Sequence, residues 1–97
     1  IIPKIEGYEA EIRRTAKLID LANSYRNLGN FPKTIDYLEQ GLRIARKFKS
    51  REFEKDGLIG MGSIYIYLGD FPRAIDYLQQ ALAITRETKN RRYEGMV

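Results

Sequence analysis

The chain has 97 residues, a net charge of +4 from 17 Lys and Arg against 13 Asp and Glu, and no Cys, His or Trp. Without Cys there is no disulfide framework, thiol nucleophile or thiolate metal site, and without His the commonest general base and nearly every zinc site are gone. A hydrophobic content of 43% with 31% charged residues describes a folded domain, and 97 residues make one thin core at most.

Residues 1–17 open with Ile1-Ile2-Pro3 and carry no initiator Met. A two-residue apolar start without a basic leader is not a signal peptide. Together with the abrupt end at Met96-Val97, this leads us to expect a piece excised from a longer protein. No apolar run nears the 18 or so residues that span a bilayer, so no membrane contact is expected. A cysteine-free chain fits a cytoplasmic setting. Ile1, Ile2, Ile5 and Tyr8 form an apolar N-terminal cluster suited to capping one end or docking on a neighbour.

The next elements come in pairs. Leu18, Leu21, Ala22, Tyr25 and Leu28 recur at steps of three and four, which is one face of a helix. Gly29 suits the left-handed position that ends it. Asn30 supplies an N-cap oxygen, and Pro32 falls in the first turn of the following helix, where a missing N–H costs nothing. Ile35, Leu38, Leu42 and Ala45 make the second stripe. Lys47 and Lys49 lie near its C-terminus, where positive charge complements the helix dipole. Leu58, Met61, Gly62, Tyr65 and Leu68, then Gly69, Asp70 and Pro72, then Ile75, Leu78 and Leu82 repeat the same devices. The spacing predicts helices near 10–28, 32–48, 52–68 and 72–88, with a fifth beginning near 91. Loops of two to four residues make successive helices antiparallel neighbours.

The repeat is explicit. Leu28-Gly-Asn-Phe-Pro-Lys-Thr-Ile-Asp-Tyr-Leu-Glu-Gln returns 40 residues later as Leu68-Gly-Asp-Phe-Pro-Arg-Ala-Ile-Asp-Tyr-Leu-Gln-Gln. Laying 18–57 on 58–97 gives about 18 identities without a gap. Arg51, Phe53 and Glu54 recur as Arg91, Tyr93 and Glu94, so the chain enters a third unit. Residues 1–17 do not match 41–57. The expected organisation is an N-terminal segment 1–17 leading into the first helix, a first repeat 18–57, and a second repeat 58–97 with the start of a third helix pair.

A two-helix unit with small residues and aromatics at these positions resembles the tetratricopeptide repeat. The first-helix pattern is met by Leu18, Leu21, Ala22 and Tyr25, then Leu58, Met61, Gly62 and Tyr65. The second-helix pattern is met by Thr34, Leu38, Gly41 and Leu42, then Ala74, Leu78, Ala81 and Leu82. The period is 40 where the usual one is 34, and the closing Pro is replaced near Arg46 and Arg86. The long unit looks like those of Pins-type adaptors, kinesin light chains and bacterial regulators with such arrays.

The resemblance implies an all-α fold, a right-handed superhelical solenoid of antiparallel helix pairs. It implies a non-enzymatic scaffold that binds a peptide or amphipathic helix of another protein along the concave first-helix face, with no cofactor, metal or catalytic residue. Carried over position by position, the groove candidates are Ile19, Asn23, Arg26 and Asn27 on the first helix, and Ile59, Ser63, Ile66 and Tyr67 on the third. Ala16, Asp20, Asp56 and Gly60 are their neighbours on the same faces. An Asn amide donates and accepts at once and can clamp a ligand backbone. Ile19 and Ile59 stand where relatives that grip a terminal carboxylate carry basic residues, so that mode is disfavoured. The bland alternative has Ile59 and Ile66 packed on a neighbouring helix and Asn23 merely solvated. Ile66-Tyr67 is the more telling pair, because the first repeat has Arg26-Asn27 there and the fold does not demand apolar residues.

The run Arg43 to Arg51 holds five basic residues and no acid. It could meet phosphate. Lys and Arg are, however, expected at a helix C-terminus, Glu52, Glu54 and Asp56 follow at once, and no stacking aromatics alternate with the charges, so nucleic acid is disfavoured. Tyr25/Tyr65, Phe31/Phe71 and Tyr37/Tyr77 recur at the repeat period and read as packing. The carboxylates are scattered and form no acid–base pair. Two repeats bury little against each other, so apolar surface is expected at Leu82, Ile84 and Tyr93. The alternative function is therefore a structural or self-associating segment of a larger regulator, with a homo-oligomer formed through repeat ends.

Overall fold

The computed structural model describes the backbone of residues 2–96 and the side chains of residues 7–89. It contains four helices: α1 (Ile2–Asn27), α2 (Phe31–Lys47), α3 (Arg51–Leu68) and α4 (Phe71–Met96). Each helix packs on the next, α1 also meets α3, and α1 makes no contact with α4 among the described residues. That linear order belongs to an open solenoid of antiparallel helix pairs, not a closed four-helix bundle.

The two turns inside the pairs are built alike. Gly29 and Gly69 sit at φ 80° and 81°, where a side chain would be strained. The Asn30 N–H donates to Tyr25 O and the Asp70 N–H to Tyr65 O, each at 2.9 Å, closing the preceding helix. The Asn30 and Asp70 carboxamide and carboxylate oxygens then accept from the Lys33 and Arg73 N–H at 3.3 Å, capping the next. The turn between the pairs differs. There Lys49 takes the left-handed conformation at φ 55° while the Ser50 N–H donates to Ala45 O at 2.8 Å.

Ala22, Leu38, Leu42, Leu58, Met61, Ile64, Ala81 and Ile84 form one continuous core, flanked by Phe31, Ile35, Tyr37, Tyr65 and Tyr77. Of the periodic aromatics, the four tyrosines and Phe31 pack as expected, whereas Phe71 is 58% exposed. Tyr25 stacks on Tyr37 at 5.5 Å and Tyr65 on Tyr77 at 5.7 Å, with Lys33 and Arg73 respectively over the first ring of each stack.

Several expectations need correction. Leu21 is 43% exposed because no helix covers the face of α1 that α2 covers on α3, where the equivalent Met61 is buried; Leu28 and its equivalent Leu68, at 78% and 49%, are both exposed at their helix ends. Ile84 is not surface but core, at 5% exposure. Leu82 is half-exposed as expected. α1 begins at Ile2 instead of near 10, and Tyr8 lies edge-to-face on Phe48 at the end of α2. α4 continues to Met96, without the break expected near 91. The side chains of Ile1, Ile2, Ile5 and Tyr93 lie outside the described residues.

Candidate functional site

Because successive helices are antiparallel, α1 and α3 run side by side in the same direction. Between them is a cleft of about 290 Å³ lined by Ile19, Asn23, Arg26, Leu38, Asp56, Ile59, Gly60 and Ser63. Five of these are groove candidates named from the sequence. The other three give the cleft its floor and one charged end. Leu38, 2% exposed, rises from α2 between the two walls. Gly60 lets α3 settle onto it, since a Cβ there would meet Leu38 Cδ2 at 3.0 Å. Asp56 lies one turn before Ile59 on the same face.

The walls mix two kinds of surface. Ile59 is 43% exposed and Ile19 half-buried, so both offer apolar contact. Asn23, Arg26, Asp56 and Ser63 have no side-chain partner among the described residues. Arg26 shares its repeat level with Ile66, ten residues beyond Asp56. The cationic and anionic ends are thus about 15 Å apart along the helices.

Three candidates fall elsewhere. Asn27 is exposed at the end of α1 and does not line the cleft. Ile66 is 48% exposed outside it. Tyr67 is 76% exposed and leans on Phe31, with ring centroids 5.1 Å apart. Leu38 is not among the groove candidates because it belongs to a second helix. The signal that could have found it is its pairing with the one groove-facing glycine, Gly60.

Arg46, Lys47 and Arg51 of the basic run are engaged within the protein. Arg46 Nε donates to Glu54 Oε2 at 3.3 Å and its Nη2 to Gln80 Oε1 at 3.3 Å. Arg51 donates to Glu54 at 3.0 Å and to Glu87 at 2.6 Å. These bonds tie α2, α3 and α4 along one edge. The hydrogen bond that Arg51 donates to Glu54, followed by the charge of Glu87, holds the guanidinium above its ordinary pKa. Lys47 lies over the Phe48 ring. No group of three or more acidic side chains able to hold a metal ion occurs among the described residues. No described helix is long and apolar enough to cross a membrane.

The helix pairs, their Gly–Asn/Asp turns and the cleft between first helices define a helical-repeat scaffold. The tetratricopeptide repeat family profile matches residues 13–87, and the chain belongs to that family, a class of protein–protein interaction modules that is typically non-catalytic. Neither the curated proteins nor the solved structures contain a match to the chain.

Proposed function

We propose that the α1/α3 cleft binds a short segment of a partner protein, as an extended peptide or one face of an amphipathic helix, and that the chain performs no catalysis. The observation that carries this is the lining itself: apolar Ile19 and Ile59 beside four polar side chains that have no partner among the described residues. The apolar pair would anchor the ligand, and Asn23 and Ser63 would hydrogen-bond its backbone. Arg26 and Asp56 would set its direction. An acidic and a basic group about 15 Å apart fit roughly ten residues of helix, or four to five of extended chain. Asn27, Ile66 and Tyr67 would serve as rim contacts. The 40-residue period, as in Pins-type adaptors, kinesin light chains and bacterial regulators, and the cysteine-free composition agree with a cytoplasmic scaffold.

Selection of a displayed random-peptide library against the chain tests this. Selected peptides should lose at least about tenfold in affinity on Ile59→Asp or Asn23→Ala, with the helical circular dichroism unchanged. Arg26→Glu should shift the selected sequences from acidic to basic at one end. Peptides that bind all three variants as they bind the parent chain would overturn the reading.

A second reading, a structural or self-associating segment of a larger regulator, is favoured by a different observation. Phe71, Ile75 and Leu82 are 58%, 55% and 48% exposed along one face of α4.

A further inference from the structure

We propose that the groove between the first turns of α1 and the last turns of α2 binds an acidic segment of a partner protein and seats one apolar side chain of that segment between its walls. The groove holds about 530 Å³, against about 290 Å³ for the α1/α3 cleft, and shares no lining residue with it. Its apolar lining is Gly7, Ala10, Ile44 and Phe48. Its charged lining is Glu11, Arg14, Arg43 and Lys47.

At the same place the second helix pair is closed by its own charges. Arg51 and Glu87, the repeat equivalents of Glu11 and Lys47, meet at 2.6 Å. Glu54, the equivalent of Arg14, accepts from both Arg46 and Arg51. In the first pair the signs are exchanged and the pairing is lost. Glu11, Arg14 and Arg43 have no side-chain partner among the described residues, and Lys47 meets only the Phe48 ring. Arg43 is an added cation, since its equivalent is Ala83. Three cations therefore stand around one acid. Gly7 is an independent sign of an occupant. A glycine inside a helix is destabilising relative to alanine, yet a Cβ at Gly7 would meet nothing within 4 Å. Gly57 and Gly60 make room for Leu42 and Leu38, whereas Gly7 and Ala10 leave the α1 wall open to a side chain from elsewhere.

Another repeat does not fit here. The pairs are joined by a turn at 48–50, but α1 is helical through the equivalent 8–10. Where α3 presents Gly57, Gly60 and Ile64 to its neighbour, α1 has Lys17, Asp20 and Ser24, all exposed. A nucleic-acid strand fits less well than a peptide. Its phosphate at every residue would meet Glu11, where a peptide can place a backbone N–H. Phe48, the one aromatic of the lining, already carries Tyr8 on edge and Lys47 over its ring, so it is not free to stack a base. Arg43 and Lys47 are about 6 Å apart along α2, close to the spacing of about 6.6 Å between alternate residues of an extended chain. An acid, an apolar residue and an acid in sequence thus set two carboxylates on these cations and turn the apolar side chain toward Gly7 and Ala10. Arg14 remains for a third carboxylate.

The probes are two capped peptides, Glu-Glu-Leu-Glu-Glu and its Phe counterpart, titrated into the isotope-labelled full chain. Amide shifts should centre on Gly7, Ala10, Ile44 and Phe48 and shrink as salt is raised. The uncharged Gln-Gln-Leu-Gln-Gln should shift the same amides at least about tenfold less at equal concentration. Arg14→Glu together with Arg43→Glu should abolish the shifts, with helical circular dichroism unchanged because both side chains are exposed. Arg86→Glu, at an exposed cation of α4 outside the groove, should leave them as they are. Gly7→Leu fills the groove without a change of charge, favours the helix, and should weaken binding. The proposal is overturned by no shift with either peptide up to about 5 mM, by shifts confined to the α1/α3 cleft, or by equal losses in Arg86→Glu and the double variant. It is equally overturned by an oligothymidylate that shifts the groove amides at lower concentration than either peptide. A free chain that dimerises in light scattering, with the double variant a monomer, would make a second copy the occupant and overturn it too.

Discussion

The two helix pairs carry the same pattern, with about 18 identities in 40 aligned positions, and bury it differently. Leu42 is 5% exposed and its equivalent Leu82 is 48% exposed. Met61 is fully buried, whereas Leu21, at the same repeat position, is 43% exposed. In each case the buried member has a helix beyond it and the exposed member does not. In a solenoid, burial is a property of the neighbour, and an apolar stripe in the sequence marks only a face that can be covered.

The largest expected effect breaks the comparison directly. Met61→Ala should destabilise the chain by about 2–5 kcal/mol, because it leaves a cavity among Leu42, Leu58 and Tyr77. Leu21→Ala, the same kind of truncation at the same repeat position, should cost less than about 1 kcal/mol. Chemical denaturation of the two variants measures both. With total stability for such a domain in the range of about 5–15 kcal/mol, the first could leave a substantial unfolded fraction at 37 °C and the second would not. Equal losses would mean that α1 has a covering surface on its Leu21 side.

A smaller effect tests the closeness of the α2/α3 contact. Ala is the better helix former by about 1 kcal/mol, so Gly57→Ala on propensity alone should stabilise α3. The new Cβ, 2.8 Å from Leu42 Cγ, forces Leu42 aside at about 1–3 kcal/mol. The expected net result is a loss of about 1 kcal/mol by thermal or urea unfolding. Lys17, the first-pair equivalent, faces no such neighbour, and Lys17→Ala should be neutral within about 0.5 kcal/mol.

The sequence carried the regular part of this architecture and missed what depends on neighbours. The Leu-Gly-Asn/Asp-Phe-Pro segment specifies helix end, turn and helix start from local chemistry alone, and Gly29, Asn30, Gly69 and Asp70 act as their residue types predict. Ile19, Asn23, Arg26, Ile59 and Ser63 share one cleft because the repeat fixes which face first helices turn to each other. Leu38 reaches that cleft from another helix, so no spacing within α1 or α3 could reveal it. Ile84 and Leu82 are two residues apart on one helix, and only the position of α3 makes the first buried and the second exposed. The extent of α1 escapes the sequence because Tyr8 is held by Phe48, a contact 40 residues distant in the chain. Lys49 gives no sign of its left-handed backbone, since Gly or Asn is the usual marker.

That turn provides the next test. Gly29 and Gly69 close the turns inside the pairs without strain, whereas Lys49 closes the turn between them with a Cβ at φ 55°. Lys49→Gly should raise stability by about 0.5–1 kcal/mol, less than the αL penalty alone because glycine also gains freedom in the unfolded chain. A rise in melting temperature with an unchanged denaturant slope is the expected reading.

The smallest effect tests the Tyr65–Tyr77 stack by pH. Burial, followed by the charge of Tyr65, holds the Tyr77 hydroxyl above its ordinary pKa of 10.0, and nearby Arg73 only partly opposes the shift. A raised pKa means that the folded protein retains the proton more strongly than the unfolded chain does. The contribution to stability is therefore complete below about pH 10 and is lost as pH rises through the folded-state value. Unfolding measured between about pH 8 and 11 should show stability falling at the alkaline end, and Tyr77→Phe should flatten that fall while leaving the ring stack on Tyr65 in place. An unchanged alkaline fall in Tyr77→Phe would assign the loss to other groups.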